Sequence, residues 1–350
     1  MDTPAPHPFS ALTPDLVVDA LAAVGLMADG RLTALNSYEN RVYLAYLEPG
    51  TPLADAYPAV VLKFYRPERW SVAQIEEEHA FAAELLQAEV PMVAPLAIDG
   101  RTLHTHAGFH FSVSPRRGGR APELDDGETL EWVGRFIARL HAVGARQPFA
   151  QRPAVDVASY GTASRDWLLA HQTVPLEVER EWADVSQQAI EMVAASALTT
   201  GATGQKHAES SHIARLRLHA DCHVGNILWT PADLPGGGPH FVDLDDCRSG
   251  PAVQDLWMLL PGDRAERQRA LVNLLDGYEQ VRDFDRRELA LIEPLRTLRL
   301  IHYSAWLARR WDDPAFPAAF PGFGSADYWR GQVVELREQI EAMEAPPLVA

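Results

Sequence analysis

The first 115 residues show short apolar runs typical of strands around one longer helical pattern. A threonine cap followed by proline at Thr13-Pro14 predicts the start of a first helix, and Gly25 predicts its end. Runs rich in Val, Leu and Tyr, separated by Pro and Gly, predict strands. These strands are expected at residues 41–47, 59–65, 101–105 and 109–114, and apolar positions at helical spacing predict a helix at 72–88.

The remainder of the chain has a mainly helical pattern. Arg116-Arg117-Gly118-Gly119 predicts a hinge before it, because glycines interrupt regular structure. Helices are expected at residues 129–143, 164–170, 177–197, 252–260, 264–281 and 291–311, a hairpin at 226–230 and 240–244, and a loop at 199–211. The pattern predicts an α+β fold with a small β-rich N-terminal lobe, residues 1–115, and a larger helical C-terminal lobe, residues 116–350.

Composition and charge narrow the classes of partner. A formal net charge of −17 argues against a nucleic-acid partner, because nucleic-acid backbones require a concentrated basic surface. No run approaches the roughly 20 apolar residues that cross a bilayer, and the chain start shows neither a basic nor an apolar leader. Two cysteines, Cys222 and Cys247, are too few for a disulfide framework. We therefore expect a cytoplasmic monomer with no membrane partner.

Candidate chemistry is concentrated in residues 218–226 and 241–246. Asp221 lies at a predicted loop tip, where a carboxylate can orient a hydroxyl acceptor and take its proton. Asn226 follows at the start of a strand, and Asp243 lies on the returning strand of the predicted hairpin. Mg²⁺ is held by a few oxygen ligands together with phosphates and water, so both residues are candidate ligands of one ion. Each residue alone is also typical of a turn, but their combination with the hairpin favours phosphoryl transfer, with Asp221 and Asp243 as catalytic residues.

A nucleotide also requires a cation for its phosphates, and the chain has no G-x-x-x-x-G-K-[ST] sequence. Lys63 is a candidate because it lies inside an apolar strand and is one of only two lysines in the chain. Alternation places it on one face of that strand, where a glutamate of the following helix can hold it. The candidates for this glutamate are Glu76, Glu77 and Glu78.

Two further polar positions have a local interpretation. Ser37 lies in the polar segment 35–41, where its hydroxyl and nearby backbone N–H groups could cap phosphates, although a plain turn explains the segment equally well. Asp255 lies near a predicted helix start, where a carboxylate can cap N–H groups and hold the catalytic loop.

These residues resemble a known motif. Segments 219–226 and 241–243 are similar to the Brenner motif of the aminoglycoside phosphotransferases and of the choline and homoserine kinases. Longer segments, at 35–43, 63–70, 218–229, 241–260 and 292–317, resemble the bacterial stress response kinase A family more closely. The resemblance implies a two-lobed, protein-kinase-like fold, a cytoplasmic location, ATP as phosphoryl donor, Mg²⁺ as cofactor, and Ser/Thr protein kinase activity linked to stress survival.

The same resemblance implies roles for individual residues. It implies Asp221 as the catalytic aspartate, Asn226 and Asp243 as Mg²⁺ ligands, and Ser37 as an ATP contact. By analogy with the wider kinase fold, it also implies that Lys63 and a glutamate, Glu78, belong to the nucleotide-binding residues. The chain departs from the wider family at Ala220, where glycine is usual, which affects the expected geometry of the catalytic loop.

Three other functions compete with a protein kinase. A small-molecule kinase acting on an amino alcohol or an aminoglycoside hydroxyl would share the same catalytic residues, and the acidic chain is compatible with such a cationic acceptor. A phosphatase with an aspartyl nucleophile at Asp243 would need a downstream lysine, and the chain has none after Lys206. A kinase-like scaffold without turnover is disfavoured, because Lys63, Asp221, Asn226 and Asp243 are all present.

Overall fold

The computed structural model describes residues 7–196, 198, 213–231 and 233–350. Its helices are α1 (Pro14–Ala23), α2 (Val72–Gln87), α3 (Gly127–Gly144), α4 (Ala163–Ala170), α5 (Leu176–Ala195), α6 (Gln254–Trp257), α7 (Arg264–Tyr278), α8 (Ile292–Ala308), α9 (Ala315–Ala319) and α10 (Ala326–Glu344). Its strands are β1 (Ala28–Leu35), β2 (Arg41–Leu47), β3 (Ala59–Phe64), β4 (His104–His106), β5 (Phe109–Pro115), β6 (Leu216–Leu218), β7 (Ile227–Thr230), β8 (Gly238–Phe241) and β9 (Arg248–Gly250). The segment 199–211, predicted as a loop, lies outside the described residues.

The described residues group into two compact units, and the chain passes between them more than once. The first unit contains the described residues up to Pro122 together with those of Gly225–Asp245. The second contains the described residues of Glu123–Val224 and Asp246–Ala350. This grouping places the β7–β8 hairpin with the N-terminal residues, whereas the sequence assigned it to the C-terminal lobe. The lobes at 1–115 and 116–350 stay a prediction about functional domains.

The first unit is built on an antiparallel sheet of five strands in the order β1-β2-β3-β5-β4. Successive side chains of a strand point to opposite faces of its sheet. On β3, Val60, Leu62 and Phe64 are fully buried in an apolar core to which α1 also contributes. Lys63 therefore lies on the other face, between β2 and β5.

Helix α2 follows β3 and begins with a capping box. Ser71 accepts the Gln74 N–H through its side chain at 3.3 Å, and the Gln74 side chain accepts the Ser71 N–H at 2.9 Å. This reciprocal pair satisfies two N–H groups that a helix start leaves unbonded. The buried face of α2 carries Ile75, Glu78 and Phe81. A buried glutamate among apolar residues requires a cationic or hydrogen-bonding partner.

The β7–β8 hairpin is joined to the first unit by backbone hydrogen bonds. The Phe241 N–H donates to the Pro91 carbonyl at 2.8 Å, and the Val93 N–H donates to the Phe241 carbonyl at 2.9 Å. Arg120 and Trp229 exchange two further bonds of 3.0 and 2.6 Å. The chain after β8 is thereby fixed within the same unit as β3 and α2.

The second unit is mainly helical. Helices α5, α8 and α10 supply an apolar core around Trp182 and Trp329, whose rings meet edge to face at 5.3 Å between centroids. Strands β6 and β9 pair as a small antiparallel sheet. Within the described part of the chain, none of the helices is long and apolar enough to cross a membrane.

The sequence predicted most of these elements. The α+β composition is confirmed, and β2, β3, α2, β5, the hairpin and most helices of the second unit lie where the patterns placed them. Strand β1, the β6–β9 pair and the last two helices were not predicted. The polar segment around Ser37 is consequently the turn of a β1–β2 hairpin, in which Leu35 pairs with Val42.

Helices α3 and α7 of the second unit approach each other at two glycines. A Cβ atom added at Gly134 of α3 would overlap the Leu274 carbonyl oxygen, and one added at Gly277 would overlap the Glu131 carbonyl oxygen. Backbone-to-backbone contact of this kind leaves no space for a methyl group. Close packing of the two helices therefore depends on these two residues.

We expect Gly134→Ala to destabilise the protein by about 1–3 kcal/mol or more, because the helices must move apart. The matched control is Gly331→Ala in α10, where an added Cβ meets no atom within 4 Å. That substitution is expected to stabilise the helix by up to about 1 kcal/mol. Denaturant unfolding of both variants measures the difference, and equal stability of the two would contradict the observed approach.

Glu288 fixes the start of α6 in the second unit. It is 3% exposed, and its Oε2 accepts the Val253 N–H at 2.8 Å. Burial raises the pKa of Glu288 to about 7, and the nearby Asp285 charge contributes in the same direction. The folded protein therefore keeps this proton to a higher pH than the unfolded chain does.

A carboxyl group whose pKa is higher in the folded than in the unfolded state stabilises the fold at low pH, and this contribution is lost as pH rises through the folded pKa. Glu288→Gln keeps a carbonyl acceptor for Val253 but cannot ionise. Between about pH 5 and about pH 8, we expect wild type to lose about 2 kcal/mol relative to this variant. Urea unfolding at the two pH values measures this loss, and parallel pH profiles would refute the raised pKa.

Candidate active site

Lys63 is the centre of a charged cluster in the first unit. Its Nζ lies 2.8 Å from Asp243 Oδ1, 3.0 Å from Asp245 Oδ1 and 3.5 Å from Glu78 Oε1. β3 supplies the lysine, α2 supplies Glu78, and the chain after β8 supplies the two aspartates. The structure thus brings together Lys63, Glu78 and Asp243, three residues that the sequence placed on the nucleotide and metal side. Of the three candidate glutamates, Glu76 is exposed, Glu77 is half-buried and Glu78 is buried.

The three carboxylates decide the charge state of the lysine. Burial alone would lower the pKa of Lys63, but Asp243, Asp245 and Glu78 raise it well above its ordinary value. The ammonium is therefore charged at all physiological pH values. A compact cation of this kind can neutralise the carboxylates in the free protein and bind nucleotide phosphates.

Asp243 and Asn226 lie at the same end of the β7–β8 hairpin. The Val242 N–H donates to the Asn226 carbonyl at 3.0 Å, directly beyond the Ile227–Phe241 pair of the ladder. Asp243 has a positive φ of 61°, and its carboxylate is 48% exposed although Oδ1 contacts Lys63. Carboxylate and amide oxygens are donors that suit Mg²⁺. Among the described residues no group of three or more His, Cys, Asp or Glu could hold a metal ion, and this sparse donor set instead fits an ion completed by phosphates and water.

Ser37 lies in the turn between β1 and β2, half-buried. The next residues of this turn are held by Arg66, which lies in the chain after β3. Asn40 Oδ1 accepts the Arg66 N–H at 3.0 Å, and Glu39 receives the Arg66 guanidinium at 2.9 Å. The Ser37 turn is thus held against the same unit that carries Lys63.

Asp221 belongs to the second unit, in the loop after β6. Its Oδ1 lies 2.8 Å from Arg299 Nη2, and its Oδ2 lies 3.5 Å from His223 Nε2. Burial alone would raise the pKa of Asp221, but hydrogen bonding to His223 and the charge of Arg299 lower it well below its ordinary value. Asp221 is therefore an ionised carboxylate, 23% exposed, at neutral pH.

A second aspartate holds the backbone of this loop. The fully buried Asp255 of α6 accepts the His219 N–H at 2.9 Å and the Ala220 N–H at 2.7 Å. Its Oδ2 also lies 3.0 Å from His141 Nε2. The Gln254 amide donates to the Ala220 carbonyl at 2.9 Å. The sequence interpretation of Asp255 as a residue that caps N–H groups of the catalytic loop agrees with these contacts.

Ala220 adopts a left-handed backbone conformation, with φ of 67°. Glycine populates this region without a steric penalty, whereas a Cβ costs about 1–2 kcal/mol. The departure from glycine noted in the sequence therefore falls on a residue where it strains the loop.

Cys222 nearby is fully buried, and burial together with Asp255 and Asp221 raises the pKa of its thiol well above the ordinary value. This fits an inert structural cysteine.

Several residues of these clusters were not singled out from the sequence. Asp245 and Arg69 form an ion pair in the first unit, and Arg299 contacts Asp221 in the second. Glu78 carries a recognisable signal, because it lies three residues from both Ile75 and Phe81 on the buried face of α2. The binding of one ion by Asn226 and Asp243 and the catalytic role of Asp221 stay predictions.

Comparisons with known proteins identify the family of the chain. The chain is 46% identical over 340 residues to a protein named serine/threonine protein kinase RdoA from Salmonella typhimurium, which covers 97% of this chain and 96% of the relative. It is 44% identical over 340 residues to stress response kinase A from Escherichia coli, with the same coverage of both chains. The predicted resemblance to the stress response kinase A family is therefore confirmed.

A solved structure shows the same fold. An amicoumacin kinase in complex with AMP-PNP, Ca²⁺ and Ami matches with a TM-score of 0.69 at 20% identity, over 97% of this chain and 96% of that chain. At this identity the likeness is evidence of fold alone, and it confirms the predicted kinase-like α+β fold. The model of a family described as phosphotransferase enzyme family matches residues 31–292. The chain therefore belongs to the phosphotransferase enzyme family, as a kinase of the stress response kinase A type.

Proposed function

We propose that this kinase transfers the γ-phosphoryl group of ATP to serine or threonine hydroxyls of proteins, with Mg²⁺ as cofactor. The observation that carries the proposal is the cluster in which Lys63 meets Asp243 and Glu78 within 3.5 Å. That cluster joins a phosphate-binding cation, its orienting glutamate and a metal-binding carboxylate in one unit. The kinase names of relatives at 44–46% identity over nearly the whole chain support a protein acceptor.

The nucleotide side of the reaction is assigned to the first unit. Lys63 binds the α- and β-phosphates, and Glu78 holds the lysine in position as the phosphates compete for it. Ser37 and the backbone of the β1–β2 turn cover the phosphates. Asn226 and Asp243 would hold the divalent ion, which neutralises charge on the β- and γ-phosphoryl oxygens when bound.

The acceptor side is assigned to Asp221. Its carboxylate orients the acceptor hydroxyl and takes the hydroxyl proton as the oxygen–phosphorus bond forms and the bond from the γ-phosphorus to the bridging oxygen of ADP breaks. The low pKa of Asp221 makes it a weak base, which suits a loose transition state in which the proton moves late. Its main contribution is therefore the position of the hydroxyl.

A small-molecule acceptor is the second candidate, because the amicoumacin kinase shares this fold. We favour a protein acceptor, since the relatives named as stress response and serine/threonine protein kinases match at more than twice that sequence identity. The chain has only two cysteines, too few for a disulfide framework, and this together with the use of ATP supports a cytoplasmic location for the enzyme. We also propose that it acts as a monomer and responds to stress.

The function is tested with labelled ATP and a whole-protein extract in parallel with a panel of small hydroxylated amines. We expect label to enter protein serine and threonine. Asp221→Asn is expected to lower transfer by about 100-fold or more while Mg²⁺-ATP still binds, because only acceptor positioning is lost. Asp243→Asn is expected to weaken Mg²⁺-ATP binding by about tenfold or more, because a metal ligand is lost.

The matched control is Asp327→Asn, since the Asp327 side chain is 93% exposed and lies on α10. It is expected to leave both binding and transfer unchanged. Full transfer by Asp221→Asn would overturn the assignment of the acceptor side. Label in the amines but not in protein would establish the small-molecule alternative.

The strained loop residue provides a separate test of how Asp221 is presented. Ala220→Gly is expected to change the free energy of unfolding by less than about 1 kcal/mol, because relief of strain is offset by a more flexible unfolded chain. Ala220→Val is expected to cost about 2–3 kcal/mol and to lower the transfer rate, since a β-branched residue tolerates positive φ poorly. Urea unfolding and transfer assays on both variants measure this. A valine variant as stable and active as wild type would disprove the left-handed conformation.

A further inference from the structure

Arg69 lies in the first unit, in the short segment that connects β3 to α2. Its side chain is only 10% exposed and contacts two carboxylates from distant parts of the chain. One is Asp245, with which it forms an ion pair, and the other is Glu39, 3.6 Å from Nη1. None of the roles proposed above uses this arginine.

At one end of this contact, Asp245 determines how Asp243 is held. Asp245 has a side chain that is 3% exposed, and it shares the ammonium of Lys63 with Asp243, at 3.0 and 2.8 Å. The Asp245 N–H also lies 3.4 Å from Asp243 Oδ1, the atom to which it donates. A shift of the Asp245 carboxylate would therefore move the turn in which Asp243 has its positive φ.

At the other end, Glu39 belongs to the β1–β2 turn that contains Ser37. The Glu39 carboxylate, 11% exposed, receives Arg66 Nε at 2.9 Å as well as Arg69. The Glu39 carbonyl also accepts Arg66 Nε at 3.0 Å. The Ser37 turn is thereby attached through Glu39 to the connection between β3 and α2.

The connecting segment is built to hold Arg69 in place. Glu68, the preceding residue, has a positive φ of 65°, a conformation that costs about 1–2 kcal/mol for a residue with a Cβ. The Arg69 N–H closes a turn onto the Arg66 carbonyl at 3.4 Å, and its guanidinium lies 5.2 Å from the Trp70 ring centroid. Strain of this kind persists where surrounding contacts compensate for it.

The ion pairs described above form one connected cluster in the first unit. Its members include Glu39, Glu78, Asp243, Asp245, Lys63, Arg66 and Arg69. Nη1 of Arg69 contacts both Glu39 and Asp245, and the planar guanidinium also lies over the Trp70 ring. A lysine ammonium would keep the charge but not this stacking, so the two residues are not equivalent at this position.

We propose that Arg69 is a positioning residue that couples the Ser37 turn to the segment carrying Asp243, so that nucleotide phosphate and divalent cation strengthen each other's binding. This inference rests on the proposed function only in taking Ser37 and Asp243 as the nucleotide and metal contacts. Each ligand restrains one end of the Glu39–Arg69–Asp245 bridge, and the second ligand then binds a segment that is already ordered.

The test measures ATP binding by calorimetry without any acceptor, at low and at saturating Mg²⁺. For Arg69→Gln we expect ATP affinity at saturating Mg²⁺ to fall about 10- to 100-fold, as is usual when a residue that orients a metal ligand is lost. The factor by which Mg²⁺ raises ATP affinity should shrink as well. Arg69→Lys keeps the charge but loses the planar guanidinium, and should restore only part of either quantity.

A second variant keeps the proposal testable if Arg69→Gln does not fold. Glu39→Gln leaves the Arg69–Asp245 pair intact and should reduce the Mg²⁺ effect in the same direction, and adding Arg69→Gln to it should cost less than the sum of the two. Arg31→Gln is the matched control, because Arg31 pairs with Asp29 on the exposed surface of the same sheet. It should leave ATP binding and its Mg²⁺ dependence unchanged.

The possible results distinguish a failure of the Arg69 proposal from a failure of the proposed function. If Arg69→Gln or Glu39→Gln is folded and binds ATP with the Mg²⁺ dependence of wild type, the coupling role is wrong. A fall in thermal stability without a change in the Mg²⁺ effect would likewise reduce Arg69 to a structural residue. If wild type binds Mg²⁺-ATP normally but phosphorylates no protein, the proposed function fails, whereas the binding measurements still decide the role of Arg69.

Discussion

The first unit depends on one ammonium group that satisfies three carboxylates. Lys63 comes from the centre of the sheet, and the acids come from α2 and from the chain after β8. Removing one partner of a buried ion pair leaves an uncompensated charge, which costs several kcal/mol, about 3–5 in measured cases. The lysine therefore links β3, α2 and the chain after β8 to one another.

The second unit holds its candidate catalytic carboxylate, Asp221, by a different physical means. Asp221 is ionised and contacts Arg299, but the loop that carries it is fixed through backbone N–H groups bonded to Asp255. Charge-assisted bonds from N–H groups to a buried carboxylate are short and directional, so they set the path of the backbone. Such bonds compensate the left-handed conformation of Ala220. Charge neutralisation organises the first cluster, and backbone hydrogen bonding organises the second.

Local patterns predicted the elements whose residues are both apolar and regularly spaced. β2 and β3 were placed within a residue, and alternation put Lys63 on the face opposite the core. β1 was missed because most of its residues are exposed. They include a glycine and charged residues, so the sequence shows no apolar run there. Helix α10 had a readable signal, since Trp329, Val333 and Leu336 repeat at helical spacing. The β6–β9 pair joins segments of three residues each, which local sequence cannot identify.

The candidate catalytic residues could be named from the sequence, but the charged side chains that hold them could not. Asp245 lies 176 positions from Arg69, and no local rule joins two such residues. The choice between lysine and arginine nevertheless carries information, because the chain uses arginine for nearly every basic residue. Three carboxylates converge within 3.5 Å of one point at Lys63, where a compact ammonium fits. At Arg69 the side chain contacts two carboxylates from separate turns through Nη1 and also lies over the Trp70 ring, a contact that suits a planar cation.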